Sequence, residues 1–226
     1  MVFIVILYGD IIYKMHFVYY YLLFVATYWI ASFAGWVMDF WVGCKKIIDR
    51  DPLILWGNYK KVFWTVFWNV NVLTLGCIYV TSFFANLGGF HFMVWKMVLD
   101  LVVMFVLTDV FVYGAHRMIH WPPLYGWSHK VHHELKVPIA FGALYNHWFD
   151  YIFCTFFPII LPAIIVSAHP ITILMWIVMT LTNAIIVSHG SYAIRDRLHF
   201  YHHQKFNCNY GTGLFMDKIF GTEYLN

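Results

Sequence analysis

The sequence predicts an all-α integral membrane protein: about four to five transmembrane helices in hairpins, with a cytosolic helical cap carrying a histidine-rich di-metal site. Three observations predict this. First, 62% of the 226 residues are hydrophobic and only 11% are charged, against roughly 25% charged in a soluble domain. With a mean hydropathy of +0.68, the chain lacks the polar groups to cover its apolar surface, so a bilayer is its natural solvent. Second, the apolar residues fall in long runs. Third, the 13 histidines cluster strongly.

The runs lie at about 17–43, 62–86, 91–113, 148–167 and 171–188. Each meets or approaches the ~20 residues needed to cross ~30 Å of hydrocarbon. The first nine residues are apolar but too short to span, and they lack the basic flank of a signal peptide. Spans two and three meet at a short turn, Asn86 to Phe90, and spans four and five at His169-Pro170. Two hairpins with small loops on one side leave the polar segments 44–61, 114–147 and 189–226 together on the other. Those segments hold 12 of the 14 Lys and Arg residues, so the positive-inside rule makes their face cytosolic and puts the N-terminus opposite. Lys96 and Asp100, at i,i+4 in the third run, either neutralise each other or leave Lys96 snorkelling to the headgroups. No repeat or domain-sized linker appears. The chain reads as one structural domain, with N-terminal transmembrane helices over 1–99 and a catalytic region over 100–226.

A net charge of +3 carries no footprint for nucleic acid. The four cysteines, Cys44, Cys77, Cys154 and Cys208, are scattered without a CxxC pair. That argues against a disulfide framework or a thiolate zinc site. Many of the 11 Trp and 16 Tyr are expected at the headgroup level or between helices.

The histidines carry the chemistry. His116 and His120 form an HxxxH motif; His129, His132 and His133 form HxxHH; His199, His202 and His203 form a second HxxHH. On a helix, residues i, i+3 and i+4 share a face, so each motif aims two or three imidazoles at one point. Eight imidazoles exceed the needs of one ion and suit two. All three motifs fall at span ends on the predicted cytosolic face, where a reactive centre meets substrate entering from lipid. Neutral imidazole ligates Fe, Zn, Cu or Ni, so the ligands alone leave the metal open. An apolar substrate with unactivated C–H bonds argues for iron and O2. His147 and His189, also on this face, are each an extra ligand or a supporting partner. Asp109, Glu134, Asp150 and Asp217 are candidates to orient imidazoles through their free N–H groups or to serve as ordinary surface or capping charges. His16, His91 and His169 fall at the other span ends and read as interfacial.

Over about residues 100–223 the chain resembles the fatty acid hydroxylase / sterol desaturase superfamily, membrane di-iron oxidases with the HxxxH, HxxHH, HxxHH signature. The resemblance implies His116, His120, His129, His132, His133, His199, His202 and His203 as ligands of two iron ions. Asp109, Arg117, Phe206–Tyr210 and Asp217–Thr222 match further family segments. His129–Glu134, Pro138, Phe141-Gly142, Tyr145–His147 and His189–Tyr192 look most like sterol 4-methyl oxidases. The chain departs from that pattern at Asp150, Phe200 and Met216, and Phe206–Asn209 also resembles sterol 25-hydroxylases. The resemblance implies O2-dependent oxidation of a sterol or other lipid in the endoplasmic reticulum. Electrons would come from NADPH or NADH through a reductase and a cytochrome b5-type carrier, since the chain has no flavin or nicotinamide motif. Sterol desaturase, 25-hydroxylase and fatty acid hydroxylase activities fit the same motifs. A metal transporter or a zinc-dependent lipid hydrolase are the readings from other classes.

Overall fold

The computed structural model describes residues 2–41, 52–83, 92–190, 198–213 and 215–225, with side chains from residue 17 onward. Among the described residues the chain is helical, with no strand. Five helices are long and apolar enough to cross a membrane. Helix α1 runs over Val2–Trp41, its spanning part being Phe17–Phe40. The others are α2 (Pro52–Ser82), α3 (Val94–Ile119), α4 (Trp148–Ile165) and α5 (Pro170–Ser188). The short α6 (Leu198–Lys205) and α7 (Met216–Ile219) follow.

Helix α2 begins earlier than the hydropathy pattern predicts. Residues 52–61 belong to the helix rather than to a polar segment, because Pro52 supplies a pre-set φ at the first position. Leu55, Tyr59, Val62 and Val66 then form one buried stripe at helical spacing. Lys60 and Lys61 ride on the outer side of that stripe, and Lys61 pairs with Glu134 at 2.7 Å. The expected Asn86–Phe90 turn, together with Cys44, Lys45, Lys46, Arg50, His91, Arg195 and Arg197, lies outside the described residues. The side chain of His16 does too.

Helix ends explain the chain's reversals. The α3 helix stops at His120 because Pro122 forces the preceding Trp121 to an extended ψ of 131°. The chain then folds back through a π-turn over Tyr125–His129 and a 3-10 turn over His132–Glu134. Spans α4 and α5 are joined by a tight turn in which Ser167 is left-handed, at φ 47°. His169, expected at the interface, caps α5 by accepting the Ile171 N–H at 3.2 Å.

The core joins all five spans. Helix α1 packs along α5, and α3 along α4. One buried cluster joins Tyr28, Val62 and Met104 to Ile139, Leu144, Tyr151, Trp176 and Ile185. Buried polar groups pin the helices where hydrocarbon alone would let them slide. Tyr59 donates to Asp39 at 2.6 Å, and Tyr28 donates to the Phe141 carbonyl at 2.6 Å. Asn69, in a π-turn of α2 over Asn69–Leu73, donates to the carbonyls of Leu144 and Asn146 at 3.0 and 2.8 Å. Two further π-turns, Tyr151–Phe156 and Asn183–Ser188, interrupt α4 and α5 beside the histidines; such turns re-aim side chains and concentrate at functional sites. Lys96 bonds Asp100 at 2.6 Å and the Val166 carbonyl at 3.4 Å at the far end of the bundle, which favours the neutralising pair over a snorkelling lysine. The described cysteines, Cys77, Cys154 and Cys208, are free.

Candidate metal centre

The end of α3, the fold-back loop, the end of α5 and helix α6 bring nine imidazoles together in two groups. His116, His120, His129, His133 and His202 form one; His132, His189, His199 and His203 form the other. Within each group the potential ligand atoms all lie within 4.8 Å of one another. All eight histidines of the three motifs are present, and His189 completes the second group. The motifs do not map one to a group. The middle motif sends His129 and His133 to the first and His132 to the second, while the last sends His202 to the first and His199 and His203 to the second.

The hydrogen bonds at the outer nitrogens fix what the inner ones present. Nδ1 of His116 meets the Tyr210 carbonyl at 2.8 Å, and that of His132 meets the Tyr145 carbonyl at 3.3 Å. His189 uses Ala184 at 2.7 Å, His202 uses Cys208 at 2.6 Å and His203 uses Leu135 at 2.9 Å, all carbonyls. His129 Nδ1 meets the Asp150 carboxylate at 2.7 Å. Carbonyls and carboxylates only accept, so each of these Nδ1 atoms carries a proton, and in a neutral ring Nε2 is then a bare lone pair. Yet Nε2 of His203 lies 3.2 Å from that of His132, both rings kept neutral by burial. Two lone pairs at that separation repel. The Nε2 of His189 is buried with no hydrogen-bond partner at all. A cation in the second group resolves both problems, and the first group converges five imidazoles in the same way, so the donor set fits a pair of metal ions.

Electrostatics agree. Burial, reinforced by neighbouring imidazoles, pulls His120 down to about 2 and His132 to about 3. Burial likewise pulls His189 down to about 4. All are neutral at physiological pH, which is the form that ligates.

The supporting acids divide. Asp150 holds His129 directly, as a carboxylate–histidine pair does in metal sites. Replacing Asp150 by alanine is therefore expected to weaken metal binding by about 10–100-fold while asparagine retains part of it, as read by metal titration of purified protein. Unchanged affinity in both variants would remove Asp150 from the site. Asp109 touches no imidazole. Its carboxylate accepts from Thr212 N, Thr212 Oγ1, Phe215 N and Met216 N at 2.7, 2.7, 3.0 and 2.9 Å. Asp217 accepts from the N–H groups of Tyr210 and Gly211 at 2.8 and 2.7 Å. These two acids build the closing loop that presents the Tyr210 carbonyl to His116. A side chain at Gly211 would stand 2.8 Å from Asp109 Oδ1, so glycine lets the loop close on that acid. Glu134 bonds Lys61 and Tyr145, not a histidine.

His147, weighed as an extra ligand or supporting partner, is in neither group. Its Nδ1 caps α4 by accepting the Phe149 N–H at 3.4 Å, and its ring packs on Trp127. Sequence reasoning missed the orienting carbonyls of Leu135, Tyr145, Ala184, Cys208 and Tyr210. A backbone carbonyl leaves no mark in a sequence. A cavity of about 290 Å³ opens beside His116, His129, His132, His189 and His199 and reaches into the bundle.

Fold and site together define a helical membrane protein built around a histidine-lined place for two ions. Residues 101–222, which hold all nine imidazoles, match the family model for fatty acid hydroxylase. The chain belongs to that family. It is 32% identical to a methylsterol monooxygenase of Aspergillus fumigatus over 148 residues, covering 58% of this chain and 50% of the relative. It is also 32% identical to human fatty acid hydroxylase domain-containing protein 2 over 142 residues, covering 61% and 41%. Identity to chicken methylsterol monooxygenase 1 is 26% over 221 residues, covering 88% and 73%. The chain thus spans half or less of the length of the first two relatives. No solved structure matches the chain.

Proposed function

We propose that this chain is a membrane-bound, O2-dependent oxidase that holds two iron ions and hydroxylates a sterol or other lipid, most like the methylsterol monooxygenases. The observation that carries the reading is the convergence of nine imidazoles, five and four, on two points beside a cavity inside an apolar bundle. Iron bound there would supply the O2 activation that an unactivated C–H bond requires. The chain's own residues do the rest. Asp150 and the five carbonyls orient six of the nine imidazoles, so those inner nitrogens face the site before metal arrives. Phe105, Val112 and Trp176 wall the cavity, exclude water and hold hydrocarbon beside the histidines.

Electrons are proposed to come from NAD(P)H through a reductase and a cytochrome b5-type carrier. Lys130, Lys136, Lys205 and Lys218 are exposed on the segments that build the histidine end, and a basic surface steers an acidic donor. The charge distribution supports a cytosolic position for that face, and the sterol-oxidising relatives support an endoplasmic reticulum location.

Purified protein is expected to contain iron in both histidine groups and to lose activity on chelation, regaining it with ferrous iron. Expressed in cells lacking their own methylsterol oxidase, it is expected to clear accumulated 4-methylsterols only when O2 is present. Protein free of transition metal, or zinc-loaded protein with O2-independent turnover, overturns the reading.

A further inference from the structure

The cavity beside the histidines has a continuation. A second, slimmer cavity of about 70 Å³ shares Thr155, Ile159 and Thr180 with the chamber of about 290 Å³. The two antiparallel spans record its direction. Along α4, Asp150 and Cys154 line the chamber, Thr155 and Ile159 line both cavities, and Ala163 and Ile164 line only the second. Along α5 the order reverses: Ser188 and Ala184, then Thr180, then Ile177 and Ile173. The arm therefore branches from the chamber at Thr155, Ile159 and Thr180 and runs farther down the bundle, to the level of Ala163 and Ile164, while Trp176 walls the chamber beside it. From Asp150 to Ile164 the helical rise is about 21 Å.

The two ends differ in chemistry. The arm is mainly apolar, with the hydroxyl-bearing Tyr20 and Tyr151 among its lining, the latter's hydroxyl paired with Thr74 at 2.5 Å. Thr81, Ser82 and Thr180 each donate their hydroxyl to a carbonyl of their own helix, at 2.9, 2.6 and 2.8 Å. The chamber is lined by Asn146, Asn183, Ser188 and Thr212, and the buried Oδ1 of Asn146 has no hydrogen-bond partner. Size differs as well: the arm, about 70 Å³, suits a slender hydrocarbon chain, and the chamber, about 290 Å³, suits the bulkier end.

Resting on the lipid-oxidase reading above, we propose that substrate binds with its bulky, hydroxyl-bearing end against the histidines and its slender apolar tail threaded past Thr155, Ile159 and Thr180 into the arm. Those three residues are the specificity gauge for the tail. The opposite orientation strands a hydroxyl among mainly apolar walls, which is unfavourable without a hydrogen-bonding partner. The inference thus favours oxidation near the hydroxyl-bearing end of a sterol over oxidation of its side chain.

The test uses the full chain in detergent, with the variants Ile159→Trp and the milder Thr180→Leu, and two 4-methylsterols, one with its full side chain and one with none. Both variants are expected to keep wild-type iron content. Their kcat/KM ratio should shift about 10-fold or more toward the sterol without a side chain. An unchanged ratio in iron-replete variants overturns the gauge. In wild-type protein, a 4-methylsterol with a diazirine at the side-chain end should label peptides containing Ala163, Ile164 or Ile173. Labelling confined to the chamber overturns the orientation. This labelling needs no turnover, so it decides the orientation even if neither sterol is oxidised, an outcome that would count against the oxidase reading instead.

Discussion

Replacing His202 by alanine is expected to abolish turnover and empty the five-histidine group while leaving the protein inserted in the membrane. His202 is fully buried, and its Nε2 lies 3.1 Å from those of both His120 and His133. It therefore sits at the centre of its group, tied to α3 on one side and to the fold-back loop on the other. Its Nδ1 bond to the Cys208 carbonyl at 2.6 Å locks its inner nitrogen as a ligand. Loss of a supporting partner typically costs 10–100-fold in affinity or activity, and loss of a ligand is expected to exceed about 100-fold. His132→Ala should do the same to the four-histidine group. His147→Ala is the control. That side chain caps a helix and packs on Trp127, outside both groups, so the variant is expected to keep both metals and lose about 1 kcal/mol of stability. Metal content per chain and product formation, measured on protein eluting as a single species, check all three. Full activity in His202→Ala would remove the residue from the site.

Asp109→Ala is expected to damage the protein more broadly. Asp109 is fully buried and accepts four hydrogen bonds from the closing loop. Alanine leaves three N–H groups and a hydroxyl without their acceptor. Bonds to a charged group contribute about 1.5–3 kcal/mol each, and a released loop recovers part of that from water. A net loss of about 3–5 kcal/mol is expected, at the high end for a single substitution. Release also takes the Tyr210 carbonyl away from His116 Nδ1, so metal should fall with stability. Asp109→Asn should be intermediate, because its amide end opposes N–H donors. Thermal unfolding in detergent, with and without added iron, checks the first effect, and metal content checks the second. A wild-type melting temperature in Asp109→Ala would show that the loop closes without it.

The pattern of apolar runs and the spacing of the histidines were enough to indicate an all-helical membrane protein and eight of the nine converging imidazoles. The reason is local: spanning needs about 20 consecutive apolar residues, and motif spacing fixes which imidazoles share a face. Asp150 was one of four acids near the motifs, and the sequence did not separate it from Asp109, Glu134 and Asp217; its contact with His129 spans 21 residues. The start of α2 was not legible either, because Lys60 and Lys61 interrupt the apolar count, whereas the buried stripe from Leu55 to Val66 that makes the helix depends on what packs against it.

His189 and His147 show the boundary sharply. Each is a histidine at a span end on the same face, and nothing in the neighbouring residues separates them. One faces His132, His199 and His203 as part of a group, and the other caps a helix. The difference arises where a π-turn over Asn183–Ser188 sets the end of α5. How the motifs divide between the two groups was equally hidden, as were the carbonyls that hold each ring. Residue order alone dictated which segments enter hydrocarbon and which imidazoles sit side by side, because both follow from short-range periodicity. Only the folded bundle decided which imidazoles meet across 13 to 82 residues of chain, because that depends on how distant helices pack and where their backbones turn.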